Sequence, residues 1–206
     1  MNKLGIYVHI PFCKQKCYYC DFISYANNEE KIEQYINSLK KEIKEESKNI
    51  NKKQYTISTI YLGGGTPSFI DEKYISEIIY EIKENYNVEK EAEITIEVNP
   101  GTVNEEKITK YKEIGINRLS IGLQSTKNEL LKQIGRIHNY EEFENTYNLA
   151  RIIGFENINV DLMLGLPNQT LKDIENSLRK VINLKPQHIS FYSLIVEENT
   201  PIEKMI

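Results

Sequence analysis

The chain has 206 residues, of which 40% are apolar and 27% charged, which suits one ordinary globular domain. A formal charge of −4 gives no electrostatic reason to expect nucleic acid as a partner. No stretch approaches the roughly 20 consecutive apolar residues of a membrane span, and residues 1–12 lack the pattern of a secretory signal. We therefore expect no integral membrane segment.

The apolar residues alternate between two spacings along the chain. Short runs rich in Ile, Val, Leu and Tyr predict strands at residues 5–10, 57–62, 92–98, 118–123, 158–164 and 189–194. Amphipathic spacing predicts helices between them, at residues 32–43, 74–82, 105–114, 140–153 and 170–184. Asp71 is a predicted N-cap, and Thr170 with Asp173 resembles a capping box. The strand–helix alternation predicts a parallel sheet with helices outside it.

Chemically distinctive residues follow every predicted strand at its carboxyl end. In chain order they are the cysteines, Gly63–Pro67, Glu97–Pro100, Gln124–Ser125, Asp161–Pro167 and Tyr192–Thr200. An open sheet concentrates its ligand contacts at one switch point, whereas a barrel draws its site from all strand ends. The pattern favours an α/β fold, a partial TIM barrel of (β/α)6 type with parallel strands.

The chain ends at Ile206, just beyond the sixth predicted strand and without a helix to cover it. We expect residues 1–206 to form one such core domain. We also expect them to be a fragment of a longer protein that continues into a C-terminal domain.

All three cysteines lie between positions 13 and 20. An odd number this crowded cannot form a disulfide framework, and cytosolic proteins use such clusters for metals, so we expect a cytoplasmic protein. Thiolates suit iron–sulfur clusters, zinc and copper(I). A structural zinc site usually takes a second Cys or His pair, which is missing, and His9 is the only nearby candidate for a fourth ligand. The spacing favours a cluster with one open iron, and a zinc-stabilised binding module stays open as a distant alternative.

The motif Cys13-x-x-x-Cys17-x-x-Cys20, with the aromatic Tyr19 before its last cysteine, resembles the signature of the radical S-adenosylmethionine (SAM) superfamily. This resemblance implies a [4Fe–4S] cluster on Cys13, Cys17 and Cys20, with SAM bound at the iron that lacks a cysteine. In that superfamily, reduction of the cluster cleaves SAM to a 5′-deoxyadenosyl radical. The cofactors supply the difficult chemistry, and the protein positions and shields them.

Longer motifs resemble the family of oxygen-independent coproporphyrinogen III oxidases and heme chaperones (HemN and HemW). They lie at residues 7–13, 17–22, 61–68, 117–125, 161–167 and 188–201. The oxidases have a fourth cysteine two residues after the third, where this chain has Phe22. That difference favours the HemW-like branch, which implies a heme chaperone with heme as a further ligand. The alternative is oxidative decarboxylation of coproporphyrinogen III to protoporphyrinogen IX.

The family resemblance also implies partners and SAM contacts. The partners are heme or a porphyrinogen, heme-acceptor proteins and an electron donor such as flavodoxin. The implied cofactor-binding residues are Tyr7, Tyr19, Gly64, Gly65, Thr66, Glu97, Gln124, Arg136 and Asp161. The glycine loop would meet the methionine amino group, Glu97 would accept a hydrogen bond, and Arg136 would pair with a carboxylate. Gln124 and Asp161 would contact the nucleoside, and Ile195 would pack on the adenine.

Each of these residues also has an ordinary structural role open to it, such as a tight turn for the glycines or a surface charge for Arg136. His9 and His138 are candidate heme ligands, although a lone histidine is more often structural.

Overall fold

A computed structural model describes all 206 residues. Eight strands run through the chain: β1 (Asn2–Ile10), β2 (Phe12–Cys13), β3 (Tyr25–Ala26), β4 (Tyr55–Gly64), β5 (Val88–Val98), β6 (Arg118–Gln124), β7 (Asn157–Leu164) and β8 (His188–Ser193). Six of them form one sheet in the order β1-β4-β5-β6-β7-β8, and every neighbouring pair is parallel. The sheet curls into a half-barrel, so the predicted α/β partial barrel is confirmed.

Six helices accompany the strands: α1 (Ile32–Ser47), α2 (Glu72–Asn85), α3 (Glu105–Glu113), α4 (Asn128–Gln133), α5 (Tyr140–Ile153) and α6 (Leu171–Leu184). The five predicted helices are confirmed, and α4 was not predicted. The Asp71 side chain caps α2 by accepting from the Lys73 backbone N–H at 2.9 Å. Both hydrogen bonds of the capping box between Thr170 and Asp173 are present at the start of α6. None of the helices combines the length and apolar character needed to cross a lipid bilayer.

The two faces of the large sheet have different chemistry. Apolar strand residues on the convex face pack against the helices in one core of 32 buried residues. Ile96 of β5 and Leu119 of β6 belong to this core and are fully buried. Their chain neighbours, Glu97 and Ser120, point to the concave face, because successive side chains of a strand point to opposite sides. The concave face therefore carries the polar side chains from which a site can be built.

A cysteine-bearing loop connects β1 to α1. Its two ends, β2 and β3, pair in parallel as a small separate sheet, with Cys13 opposite Ala26. These two-residue strands are too short to show a hydrophobic period, and the sequence did not predict them. The pairing returns the loop to the sheet, so that its cysteines lie beside the carboxyl end of β1.

Candidate cluster and cofactor site

A cavity of about 770 Å³ opens on the concave face of the half-barrel. All three cysteines line it, as does every predicted cofactor-binding residue except Tyr7. Tyr7 is largely exposed, and its hydroxyl lies 3.0 Å from His9 Nδ1. Ile195 also lines the cavity. The fold thus brings together residues that lie up to about 180 positions apart in the sequence, as parallel strands ending at one rim allow.

Backbone contacts hold the cysteine loop over this cavity. The Cys20 backbone N–H donates to the Cys17 carbonyl oxygen at 3.1 Å, and the Tyr18 N–H donates to the Ile134 carbonyl oxygen at 3.0 Å. From β1, His9 Nε2 lies 2.8 Å from the Ile23 carbonyl oxygen, close to the return of the loop. These contacts fix the loop from both sides, and they place Cys13 in a buried position with Cys17 and Cys20 partly exposed.

The glycine-rich loop after β4 runs against the first cysteine. A Cβ atom added to Gly65 would lie 2.9 Å from Cys13 Sγ and 2.9 Å from the Phe12 carbonyl oxygen. The Gly65 N–H donates to the Ile10 carbonyl oxygen at 2.8 Å, which keeps the two chain segments in this close contact. Only glycine fits here without displacement, so the glycine is required by the approach of backbone to sulfur.

Glu97 lies at the end of β5, facing the glycine-rich loop. Its carboxylate accepts from the Tyr61 hydroxyl at 2.9 Å and from the Gly64 backbone N–H at 3.2 Å. Burial raises the pKa of Glu97 to about 7, although both donors act in the opposite direction. A carboxyl group with this pKa takes up or loses a proton near neutral pH, and a bound cationic amino group would favour its ionised form.

Asp161 is the centre of a polar network on β6, β7 and β8. Asn159 Nδ2 donates to Asp161 Oδ1 at 2.7 Å and to Ser120 Oγ at 2.8 Å. Ser190 Oγ donates to Asn159 Oδ1 at 3.1 Å. The sheet register explains these contacts, because Ser120 is paired with Asn159 and Asp161 with Ser190. Burial raises the pKa of Asp161 as well.

Arg136 reaches the cavity from the segment after α4. Its Nη2 donates to the Gly122 carbonyl oxygen at 2.7 Å, and its Nη1 donates to Cys17 Sγ at 3.5 Å. Its Nε is buried and has no hydrogen-bond partner. Buried donors of a charged group are costly to leave unpaired, so this guanidinium is suited to an additional anionic or carbonyl acceptor.

Gln124 stands at an irregular point of the sheet. Its φ is +72°, an uncommon value for a residue other than glycine, and the register between β6 and β7 shifts beside it. The Tyr192 hydroxyl donates to Gln124 Oε1 at 2.8 Å. The bulge and this hydrogen bond together direct the amide into the cavity, at the position where a nucleoside contact was predicted.

The two candidate heme-binding histidines do not line the cavity. Both ring nitrogens of His9 lie near partners, the Tyr7 hydroxyl and the Ile23 carbonyl oxygen. His138 is buried, with Nδ1 at 3.1 Å from Asn99 Oδ1. Burial, followed by the charge of Arg136, lowers the pKa of His138 to about 3, so the ring is neutral at physiological pH.

Sequence reasoning missed several polar residues of the cavity wall. They are Tyr61, Arg118, Ser120, Asn159, His188 and Ser190. Most of them alternate with apolar residues along the strands, as in Asn159-Val160-Asp161 and His188-Ile189-Ser190. Strands of a parallel sheet covered on both faces are near-continuously apolar. The polar alternation was therefore a readable signal that one face borders a cavity.

The donor set fits a cluster held by three cysteines. Burial raises the pKa of Cys13 and of Cys20, so loading a metal here must displace protons from the thiols. No three His, Cys, Asp or Glu side chains are close enough together to hold a single metal ion. A multi-iron cluster distributes its thiolates over separate irons and does not need them to meet at one atom. The space beside these thiols is bounded by Gly65, which lies against Cys13, and by Arg136, whose Nε has no hydrogen-bond partner.

A curled parallel half-barrel with three cysteines in the loop after its first strand defines a class of protein. The radical SAM superfamily model matches residues 7–181, and the chain belongs to the radical SAM superfamily. Membership implies a [4Fe–4S] cluster and SAM as cofactors.

Within the superfamily, the chain is similar to proteins that are named as heme chaperones. The chain is 43% identical to the heme chaperone HemW of Haemophilus influenzae over 203 residues, which cover 97% of this chain and 53% of that protein. It is 40% identical to the heme chaperone HemW of Bacillus subtilis, covering 94% of this chain and 51% of that protein. The chain thus spans about half the length of these relatives.

Solved structures agree with the fold. Coproporphyrinogen III oxidase HemN from Escherichia coli superposes with a TM-score of 0.86 at 32% identity, covering 93% of this chain and 44% of that one. Methylornithine synthase (PylB) superposes with a TM-score of 0.68 at 18% identity, covering 97% of this chain and 56% of that one, which supports the fold alone.

Proposed function

We propose that this chain is the cluster-bearing part of a HemW-like heme chaperone, a radical SAM protein of heme metabolism. The observation that carries the proposal is the single cavity where the three cysteines meet eight of the nine predicted cofactor-binding residues. The heme assignment is supported by the relatives at 39% to 43% identity that are named as heme chaperones. We expect the protein to act in the cytoplasm.

In this proposal Cys13, Cys17 and Cys20 hold the [4Fe–4S] cluster. A bound cluster with SAM would supply one-electron chemistry at the sulfonium of SAM. The residues of the chain bind, orient and exclude water. Glu97 accepts hydrogen bonds from the ligand amino group and, with its pKa near 7, becomes an anion when that cation is present.

The remaining contacts orient the rest of the ligand. Asp161, held by Asn159, suits the hydroxyls of a ribose, because an ionised carboxylate can only accept hydrogen bonds and the hydroxyls can donate them. Arg136 has a buried Nε free to bind a carboxylate. Heme, heme-acceptor proteins and an electron donor such as flavodoxin are the proposed partners beyond SAM.

Coproporphyrinogen III oxidation is the second candidate function. The specific observation in its favour is the TM-score of 0.86 with HemN. Phe22 argues against it, because the oxidases resembled here have a cysteine at that position. Phe22 is 71% exposed and lines the cavity at the end of the cysteine loop.

The cluster is tested by anaerobic reconstitution of the protein with iron and sulfide. We expect broad charge-transfer absorption and about four irons and four sulfides per chain for a [4Fe–4S] cluster. Cys13→Ser, Cys17→Ser and Cys20→Ser should each abolish it, whereas Ser24→Ala, which removes a hydroxyl near Cys13 in the same loop but leaves all three thiolates, should keep it. Stoichiometric zinc without a cluster would mean that the distant alternative, a zinc-stabilised module, is right.

The choice between chaperone and oxidase is tested on the reconstituted, reduced protein. It is mixed with SAM and either heme or coproporphyrinogen III. Heme binding without vinyl product supports the chaperone, and protoporphyrinogen formation contradicts it. Phe22→Cys introduces the cysteine that the oxidases have at this position. Comparing its products with those of the wild type tests the role of position 22.

A further inference from the structure

Each of the three proposed ligand sulfurs has at least one hydrogen-bond donor, and Cys13 has a second one in the Ser24 hydroxyl. Thr66 Oγ1 donates to Cys13 Sγ at 3.4 Å, and Arg136 Nη1 donates to Cys17 Sγ at 3.5 Å. The donor at Cys20 is the backbone N–H of Phe22, which acts on the thiol. The donors come from the loop after β4, the segment after α4 and the cysteine loop itself.

The side chains of Thr66 and Arg136 are held in place by contacts that do not involve sulfur. The Thr66 backbone N–H donates to the Phe12 carbonyl oxygen at 2.9 Å, which fixes Thr66 beside the cysteine that follows Phe12. Arg136 Nη2 is bonded to the Gly122 carbonyl oxygen at 2.7 Å. A Cβ atom on Gly122 would lie 3.0 Å from Nη2, so the glycine allows this approach of the guanidinium to the strand. With Nη2 fixed, Nη1 is directed at Cys17.

Donors at ligand sulfurs have a known physical consequence for iron–sulfur clusters. One-electron reduction adds negative charge to the cluster and its thiolates, and hydrogen bonds to the sulfurs stabilise that added charge. A donor that carries a full positive charge stabilises it more than a neutral hydroxyl does, particularly in a buried site. Removing either donor should therefore make reduction less favourable.

We infer that Thr66 and Arg136 raise the reduction potential of the cluster through their hydrogen bonds to Cys13 and Cys17, in addition to any contact they make with SAM. This inference rests on the proposed function, since it takes the cluster on the three cysteines as given. It makes both residues positioning and tuning residues for the cluster, with Arg136 the stronger of the two.

The test is the midpoint potential of the reconstituted protein without SAM. Dithionite supplies the one electron per cluster, and the reduced cluster is quantified by its electron paramagnetic resonance signal. Thr66→Val keeps the side-chain shape and removes the hydroxyl, and we expect a more negative potential. Thr66→Ser keeps the hydroxyl and should stay near the wild-type potential.

Thr102→Val is the matched control. The Thr102 hydroxyl lies in the neighbouring loop, 2.7 Å from Ser68 Oγ and 2.8 Å from the Asn99 carbonyl oxygen, and contacts no cysteine. Its loss loosens a loop of the site without removing a donor to sulfur, so the potential should not change. Arg136→Gln should give a larger negative shift than Thr66→Val, and Arg136→Lys a smaller one than Arg136→Gln, because lysine keeps the charge.

The inference is overturned if Thr66→Val and Arg136→Gln both hold a cluster at the wild-type potential. It is also overturned if Thr102→Val shifts the potential as much as Thr66→Val, since the effect would then come from loop packing. If Thr66→Val does not retain a cluster, the order of the two Arg136 variants decides. Failure of the wild type to form a cluster is a different result, and it contradicts the cluster assignment itself.

Discussion

The two faces of the half-barrel are built from the same strands, but the convex face carries buried apolar side chains and the concave face carries polar ones. On β5, Ile96 is fully buried in the convex core, while the next residue, Glu97, faces the cavity as a carboxyl group with a pKa of about 7. On β6 the same change occurs between Leu119 and Ser120. The convex face shows where this fold gains its stability, and the concave face shows where it accepts buried polar groups for a site.

The largest expected effect tests the convex face. Ile96→Ala should lower the free energy of unfolding by about 4 kcal/mol, because it leaves a cavity in a core that has little freedom to collapse. Urea unfolding of the metal-free protein measures this loss. Ile96→Val is the control and should cost only about 1 kcal/mol. A cost for Ile96→Ala no greater than that of the valine variant would show that the convex face does not carry the stability.

The next largest effect tests the concave face through the pH dependence of the unfolding free energy. Burial raises the pKa of Glu97 from 4.5 to about 7, so between these pH values the folded protein holds a proton that the unfolded chain has lost. The stability contributed by this group is therefore present at low pH and lost as pH rises. The unfolding free energy of the wild type, relative to Glu97→Gln, should fall by about 3 kcal/mol across this range.

Asp161→Asn sharpens the same measurement. Burial also raises the pKa of Asp161, so the wild type should lose stability relative to this variant in the same direction as pH rises. Differences that stay constant between pH 4.5 and 7 for both variants would mean that the concave carboxyl groups are solvated like surface ones.

The elements that the sequence predicted well are those with a long hydrophobic period. Helix α5 was predicted at residues 140–153 and occupies Tyr140–Ile153. Helix α4, with six residues, has too few turns to show a period, and β2 and β3 have none. Strand ends were predicted to within a few residues, because the apolar residues that mark them belong to the convex core.

The sequence predicted the residues of the candidate site that motifs or strand ends mark, but not their hydrogen-bond partners on the concave face. Cys13, Gly65, Asp161 and their companions were named from motif and strand-end position, and they line one cavity. The contact of the Tyr61 hydroxyl with Glu97 joins residues 36 positions apart through the register of β4 and β5. No rule read from a single sequence gives that register, so the concave partners of the motif residues were missed.

A smaller effect is expected at Gly65, where the glycine-rich loop after β4 lies against the cysteine loop. Gly65→Ala places a Cβ atom 2.9 Å from Cys13 Sγ and 3.0 Å from the Ile10 carbonyl oxygen, and backbone atoms cannot move aside cheaply. We expect a loss of about 2 kcal/mol in unfolding free energy and a lower iron content after reconstitution. Iron analysis and urea unfolding check both.

Gly101→Ala is the matched control for that substitution. Its added Cβ would lie 3.2 Å from the flexible end of the Ile137 side chain, which has room to give. Iron content equal to that of the wild type is expected. If Gly101→Ala lowers iron content as much as Gly65→Ala, the contact with Cys13 is not the reason for the glycine.

The smallest expected effect compares two hydrogen-bonded residues of the concave face, one on its edge strand and one on the neighbouring strand. Ser190 lies on the largely exposed edge strand β8, and Ser190→Ala removes its 3.1 Å hydrogen bond to Asn159 Oδ1, where water can replace the hydroxyl. The expected loss is below about 1 kcal/mol. Asn159 is 1% exposed, and Asn159→Ala leaves Ser120 Oγ and Asp161 Oδ1 without their donor, so it should cost about 2 kcal/mol. Urea unfolding of the two variants measures the difference, and equal costs would mean that the cavity wall is uniformly desolvated out to its edge strand.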